Sequence, residues 1–162
     1  MLDHMLFNYD FNRRNAHYIV GGLTAEQSVA QPGGLVNHPL WSIGHLALTS
    51  QVMMLEMGGE PTFPQEWMDR FFPGAPISGD VNDYPSMDEL LAQLDLQHEH
   101  VAARLPEMSA EQLAAGPQME LIQRRFPRLG DFISYAMLGH EAFHIGQIAC
   151  TRRALGIEMA DF

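Results

Sequence analysis

His140 and His144 stand four residues apart in the stretch LGHEAFHIGQ (138–147), which has helical periodicity. On a helix that spacing leaves about 40° of rotation and roughly 6 Å of rise, so both imidazoles lean to one side and can share a metal ion. A single divalent metal with nitrogen ligands needs at least one further protein donor, and an open position if it is to do chemistry. His45 is the candidate, in the middle of an inward stripe between Trp41 and Leu48. Three neutral imidazoles suit one divalent transition metal, zinc or nickel first and then iron or copper, and are too soft for magnesium or calcium. A lone histidine on an apolar stripe is more often a core residue satisfied by one hydrogen bond. Two imidazoles buried together without a metal are harder to satisfy. Spacing alone therefore leaves a three-histidine site and a set of core histidines as alternatives.

The helix face carrying the pair also includes Ile133, Met137, Gln147 and Thr151, so Gln147 is its one strongly polar neighbour. His38, two turns before His45, either lines the mouth of the site or belongs to the start of its helix. His4, His17, His98 and His100 have no convincing partners and read as surface or rim histidines. Cys150 lies well round the helix from His144 and reads as a small buried apolar residue. His140-Glu141-Ala-Phe-His144 matches H-E-x-x-H, the zinc-protease pattern in which the glutamate is the general base. Against a protease stand the 18 residues that follow His144, the missing downstream third ligand, and the absence of candidate strands upstream. Only Glu158, beyond the Gly156 stop, and the terminal Asp161 offer a carboxylate there. Glu141 is then a solvent-facing helix residue or a group that supports a ligand from behind.

The elements that must hold these residues are helical. Leu2, Leu6, Tyr9, Ala16, Ile19 and Leu23 recur at helical spacing over 1–22, with Gly21-Gly22 as a stop. Asn37-His38-Pro39 opens a second helix, Asn37 as cap and Pro39 in the first turn, running to Met57 before Gly58-Gly59. Thr24–Gln27, Ser86–Glu89 and Ser109–Gln112 each carry the capping-box pattern. The first opens a short turn. The second opens a long helix with the stripe Leu90, Leu94, His98, Val101 and Leu105, and the third a short helix ended by Gly116-Pro117. A last helix runs from about Leu129 to Leu155, with Arg152 and Arg153 near its negative end. Residues 58–85, rich in proline and glycine, make a long connection with about one helical turn around Glu66-Trp67-Met68. The segment 118–126 is ambiguous between helix and extended chain. Nothing reads as a sheet. The expectation is an all-α, single-domain four-helix bundle over 1–162, with a long 58–85 connection and short extra helices.

Composition narrows the function classes. A formal charge of −11 argues against nucleic acid or an anionic membrane as partner. All nine basic residues are arginines, which excludes Schiff-base chemistry on a lysine and a P-loop. One cysteine rules out an internal disulfide. With no apolar region after a basic start and no apolar run of about 20 residues, neither a signal peptide nor a membrane span is expected, and the location is read as cytoplasmic.

The phrases NHPLWSIGHLA from Asn37 and LGHEAFHIGQI from Leu138 resemble the DinB-like (DinB/YfiT) superfamily, four-helix-bundle proteins credited with metalloenzyme activity. The likeness covers essentially the whole chain. It implies that His45, His140 and His144 are the metal ligands, that the helix order in the bundle is unusual, and that the protein is a homodimer. Gln147 matches a glutamine common after the second histidine motif. The arginine that follows the last ligand in many members is Ile145 here. Relatives that use bacillithiol or mycothiol as thiol donors imply a metal-dependent transferase joining a low-molecular-weight thiol to a hydrophobic electrophile, since a metal lowers the pKa of a bound thiol. Trp41, Trp67, Phe71 and Phe72 are then candidates for the apolar pocket wall, and Glu141, Gln147 and His38 for groups that assist. The alternatives are metal-assisted hydrolysis and a non-catalytic metal-binding stress-response protein. The last expects a closed site, with His38 or a loop carboxylate such as Asp80 as fourth ligand; the enzyme classes expect a pocket beneath the 58–85 loop.

Overall fold

A computed structural model of the chain describes residues 1–158, and every element among them is helical. Four long helices carry the fold: α1 (Leu2–Val20), α2 (Pro39–Glu56), α3 (Met87–Arg104) and α4 (129–154). Helices α1 and α2 each pack against both α3 and α4, so the order around the assembly is α1, α3, α2, α4. Chain neighbours α1 and α2 thus stand on one diagonal, and α3 and α4 on the other.

Local sequence explains the helix boundaries. All three capping boxes form: Thr24 with Gln27, Ser86 with Glu89 and Ser109 with Gln112. Each satisfies two backbone N–H groups that a helix start leaves without partners. Gly58 (φ 76°) and Gly156 (φ 69°) take the left-handed conformation just past α2 and α4, where a side chain would be strained. The cap of α2 is His38 rather than Asn37: its Nδ1 accepts the Trp41 N–H at 3.0 Å, and its Nε2–H donates to the Ser78 carbonyl at 3.1 Å. An imidazole can do both at once, tying the helix to the long connection. The ambiguous segment 118–126 contains a short helix, Glu120–Gln123.

The connection between α2 and α3 includes a helix at Gln65–Phe71. Its first residues hang from Gln51, fully buried on α2, whose Oε1 accepts the N–H groups of Thr62 (2.6 Å) and Phe63 (2.7 Å). Phe71 then buries its ring completely between Gly44 and Tyr84. Burying one such ring contributes about 2–3 kcal/mol, enough to seat the loop against α2.

Two apolar clusters fill the interior. One gathers Leu40, Ile43, Leu46 and Ala47 of α2 with Leu90, Leu94, Phe71 and Ile148. The other joins Tyr9, Met53, Val101, Phe132, Ile133 and Met137. Arg152, read as a dipole partner for its own helix, instead donates to the carbonyls of Ile19 (3.1 Å) and Gly21 (2.8 Å). It caps the carbonyl end of α1, where a cation is equally favourable. Cys150 is exposed rather than buried. No helix among the described residues is long and apolar enough to cross a membrane.

Candidate metal centre

His45 projects from the second turn of α2, and His140 and His144 from the middle of α4. Ligand-capable nitrogens of the three side chains all lie within 4.8 Å of one another. The His45 and His140 Nε2 atoms are 3.2 Å apart, and the three ring centroids are 5.0, 5.0 and 4.6 Å from each other. Among the described residues no carboxylate or thiol joins the group.

The surroundings fix which nitrogen faces inward. His45 donates Nδ1–H to the Phe71 carbonyl at 2.9 Å, leaving its Nε2 lone pair toward the other two histidines. A backbone partner of this kind is what orients and tunes a metal-ligating imidazole. Trp41 stacks on the His45 ring (4.7 Å, 10°) and is itself held by Nε1–H to the Arg70 carbonyl at 3.1 Å. Burial favours the neutral form of all three imidazoles: it pushes the pKa of His45 down, that of His140 to about 4 and that of His144 to about 3, with repulsion from the neighbouring rings adding to it for His140 and His144. Neutral imidazole is the ligating form.

On α4 the backbone widens where the site is built. Residues Tyr135–His140 form a π-helical turn between the α-helical stretches Leu129–Ser134 and Glu141–Ala154. Such turns are rare and occur mostly at functional sites. Asn12 of α1 donates Nδ2–H to the Met137 carbonyl inside this turn, at 3.0 Å. The wide turn carries His140 to the site while keeping Glu141, the next residue, in the interior.

Glu141 and His98 are both corrections to the sequence reading. Glu141 is buried instead of solvent-facing, and its Oε1 lies 2.7 Å from Nε2 of His98, which is buried instead of at the rim. Tyr9 stacks on the His98 ring (3.6 Å, 12°), and the Tyr9 hydroxyl meets Ser50 Oγ at 2.8 Å. The two hydrogen bonds cross the two diagonals of the assembly, so all four helices meet in one polar cluster. Burial raises the Glu141 pKa and lowers that of His98 to about 3, both shifts favouring the neutral forms. A period of 3.6 with no π turn places Glu141 outward; the burial of His98 was visible in its stripe with Leu94 and Val101. His17 also has a partner, Asp95 at 2.8 Å.

The histidines open onto a cavity of about 190 Å³, with His45 and His140 in its wall. Leu48, Thr49 and Val52 of α2 and Phe132, Tyr135 and Ala136 of α4 form its sides. Its remaining wall comes from the 118–126 segment and from Phe72-Pro73. Glu56 pins that segment by accepting the N–H groups of Gln118 (2.6 Å) and Met119 (2.8 Å). Of the aromatic candidates, Phe72 faces the cavity and Trp41 backs the histidines. Phe71 contributes its carbonyl while its ring packs in the core, and Trp67 packs on Phe63 (5.9 Å). Sequence reasoning placed the pocket under the long loop and missed the 118–126 wall, whose apolar residues Met119, Leu121, Ile122 and Phe126 were the available signal.

Of the other candidates, Gln147 reaches His144, where its side chain partly offsets the lowering of that ring's pKa, and the rest lie off the centre. His38 is spent on Trp41 and Ser78. Asp80 is exposed and caps the turn Val81–Asp83 through the Asn82 N–H at 2.9 Å. Gln147 makes a long contact, 3.5 Å, to Asn37 Nδ2. Glu158 gives its carbonyl to Arg152, and Asp161 lies outside the described residues.

The donor set fits a transition metal. Three imidazoles converge, and Nδ1 of both His140 and His144 is buried with no hydrogen-bond partner, an arrangement that is costly unless the rings gain something at their other nitrogens. A sequence model of the DinB superfamily matches residues 8–148, a span that includes most of α1, all of α2 and α3, and all three histidines. No curated protein and no solved structure matches the chain.

Proposed function

The chain belongs to the DinB superfamily, and from the geometry of its histidines we propose that it binds one divalent transition metal through His45, His140 and His144 and uses it as a transferase. The reaction joins a low-molecular-weight thiol to a hydrophobic electrophile. The observation that carries this reading is the opening of the three-histidine cluster onto an apolar cavity. When bound, the metal supplies Lewis acidity, lowering the pKa of a thiol that ligates it so that a nucleophile is present near neutral pH.

The residues of the chain do the rest. His45, locked by the Phe71 carbonyl, presents one nitrogen only. Trp41 closes the side of the centre away from the cavity. Leu48, Val52 and Phe132 offer an apolar surface on which a hydrophobic electrophile lies while water is displaced. No cysteine takes part, since Cys150 is outside the cavity wall.

The other two readings have less support. Hydrolysis needs a base beside the bound water, and Glu141, the only carboxylate next to a ligand in sequence, is turned to His98. A closed, non-catalytic site needs a fourth donor, and both His38 and Asp80 are engaged elsewhere.

The test is elemental analysis of untagged protein beside His45→Ala and His144→Ala, followed by a panel of thiols and electrophiles. The expected result is about one transition metal per chain, lost in both variants, with metal-dependent thiol consumption. A wild-type protein without metal after supplementation overturns the centre; a loaded protein that consumes no thiol overturns the transferase.

A further inference from the structure

One cation faces the cavity. Arg125 lines it together with His45 and His140, and no carboxylate lies in the wall. Arg70 and Arg153 also make no ion pair or side-chain hydrogen bond among the described residues, but neither lines this cavity, and the arginines nearest in sequence are paired. Arg124 is paired with Glu120 at 2.5 Å, and Arg128 makes two bonds to Asp131, both 2.9 Å. The Arg125 guanidinium has no ion pair or hydrogen bond among the described residues, in a chain with 20 carboxylate side chains and nine arginines. Where acids outnumber guanidinium groups two to one, an arginine left unpaired at the edge of an apolar cavity is placed to meet an anion from outside the chain.

We propose that the cavity binds a small molecule with an apolar body and one carboxylate, the carboxylate held by Arg125 and the body lying over Leu48, Val52 and Phe132 toward the histidines. This deepens the transferase reading and rests on the cavity being its substrate site. The anion belongs to the hydrophobic reactant, because the wall offers apolar side chains along the body of the ligand and one guanidinium at its end. The segment that carries Arg125 is held by Glu56, so the cation sits on a fixed wall.

The experiment compares hexanoate with its neutral isostere hexanamide, titrated into the 162-residue chain as purified and followed by amide chemical shifts. Wild type, Arg125→Gln and Arg124→Gln are measured side by side, with the metal content of each sample. In wild type, hexanoate is expected to bind about fivefold more tightly than hexanamide, the size of one charge-assisted contact near solvent, and to shift residues around Leu121 and Phe126. Arg125→Gln is expected to abolish the difference, and Arg124→Gln to keep it. Equal binding of the two ligands, or no binding of either, overturns the proposal. So does a preference that survives Arg125→Gln, which means the carboxylate goes to the metal instead. Absence of metal from the wild-type samples counts against the metal centre and leaves the Arg125 comparison readable.

Discussion

Glu141 follows the candidate ligand His140 directly in the chain, yet its carboxyl lies 2.7 Å from His98 on the opposite helix α3, inside the assembly. The π turn Tyr135–His140 makes this possible: two consecutive residues both point inward, one to the cavity side and one to the polar cluster. The His98–Glu141 contact therefore holds the turn that positions His140.

Removing one member of that pair leaves the other buried without a partner. Glu141→Ala is expected to destabilise the protein by about 3 kcal/mol, lowering the melting temperature by roughly 10 °C. The combined change His98→Ala with Glu141→Ala should cost less than the sum of Glu141→Ala and His98→Ala, because no orphaned group remains. Urea denaturation of the four proteins measures the coupling; strictly additive losses would show that the contact carries no energy.

Much of this was legible before the structure. The capping patterns at Thr24, Ser86 and Ser109 are local chemistry, and each formed. The pairing of His140 with His144 follows from helical spacing, and His45 from its place in a stripe. What was not legible depends on backbone departures and on which elements oppose each other. A π turn has no sequence signature, so Glu141 counted outward. The diagonal placement of α3 and α4 brought His98 to it. The cavity wall at 118–126 depends on Glu56, whose two backbone partners lie more than 60 residues away.

The histidines predict a pH response. Folded His140 and His144 have pKa values of about 4 and about 3, below the unfolded value of about 6.5. Between those limits the unfolded chain takes up protons and the folded one does not. The contribution of these two histidines to the stability of the metal-free protein is thus full above pH 6.5 and falls as the pH drops toward 3, each contributing at most about 1.4 kcal/mol per pH unit. Glu141 works in the opposite sense: burial raises its folded pKa, so its contribution is present below the unfolded carboxyl pKa and is lost as the pH rises through the folded value. Since the folded imidazoles are already neutral, the affinity of the folded protein for zinc should change little between pH 7 and 5. Competition with a chromophoric chelator across that range checks it; a loss of about tenfold per pH unit would mean the rings titrate as if exposed.

Gly44 precedes His45, and a methyl group there would land inside the Phe71 ring. Phe71 is fully buried, so its ring has nowhere to go without moving the carbonyl that orients His45. Gly44→Ala is expected to cost about 1–3 kcal/mol through overpacking, despite alanine's better helix propensity. Zinc affinity should fall with it. An alanine variant as stable as wild type, with unchanged zinc binding, would show that the Phe71 carbonyl is not what sets the ring.

Glu56 sits at the end of α2, buried, and each of its two carboxylate oxygens accepts one backbone N–H from the segment that walls the cavity. No side chain on that segment replaces those bonds, so the wall depends on one residue of a different element. Glu56→Gln keeps the size but supplies one acceptor oxygen and an amide that meets a donor; Glu56→Ala supplies none. Charge-assisted bonds of this kind contribute about 1.5–3 kcal/mol each, so both variants should raise hydrogen exchange at Gln118 and Met119, alanine more strongly. The histidine cluster lies on α2 and α4 and does not use these bonds, so metal content should stay at the wild-type level while hexanoate binding weakens. Loss of metal together with the wall would mean that the segment supports the histidines as well as the ligand.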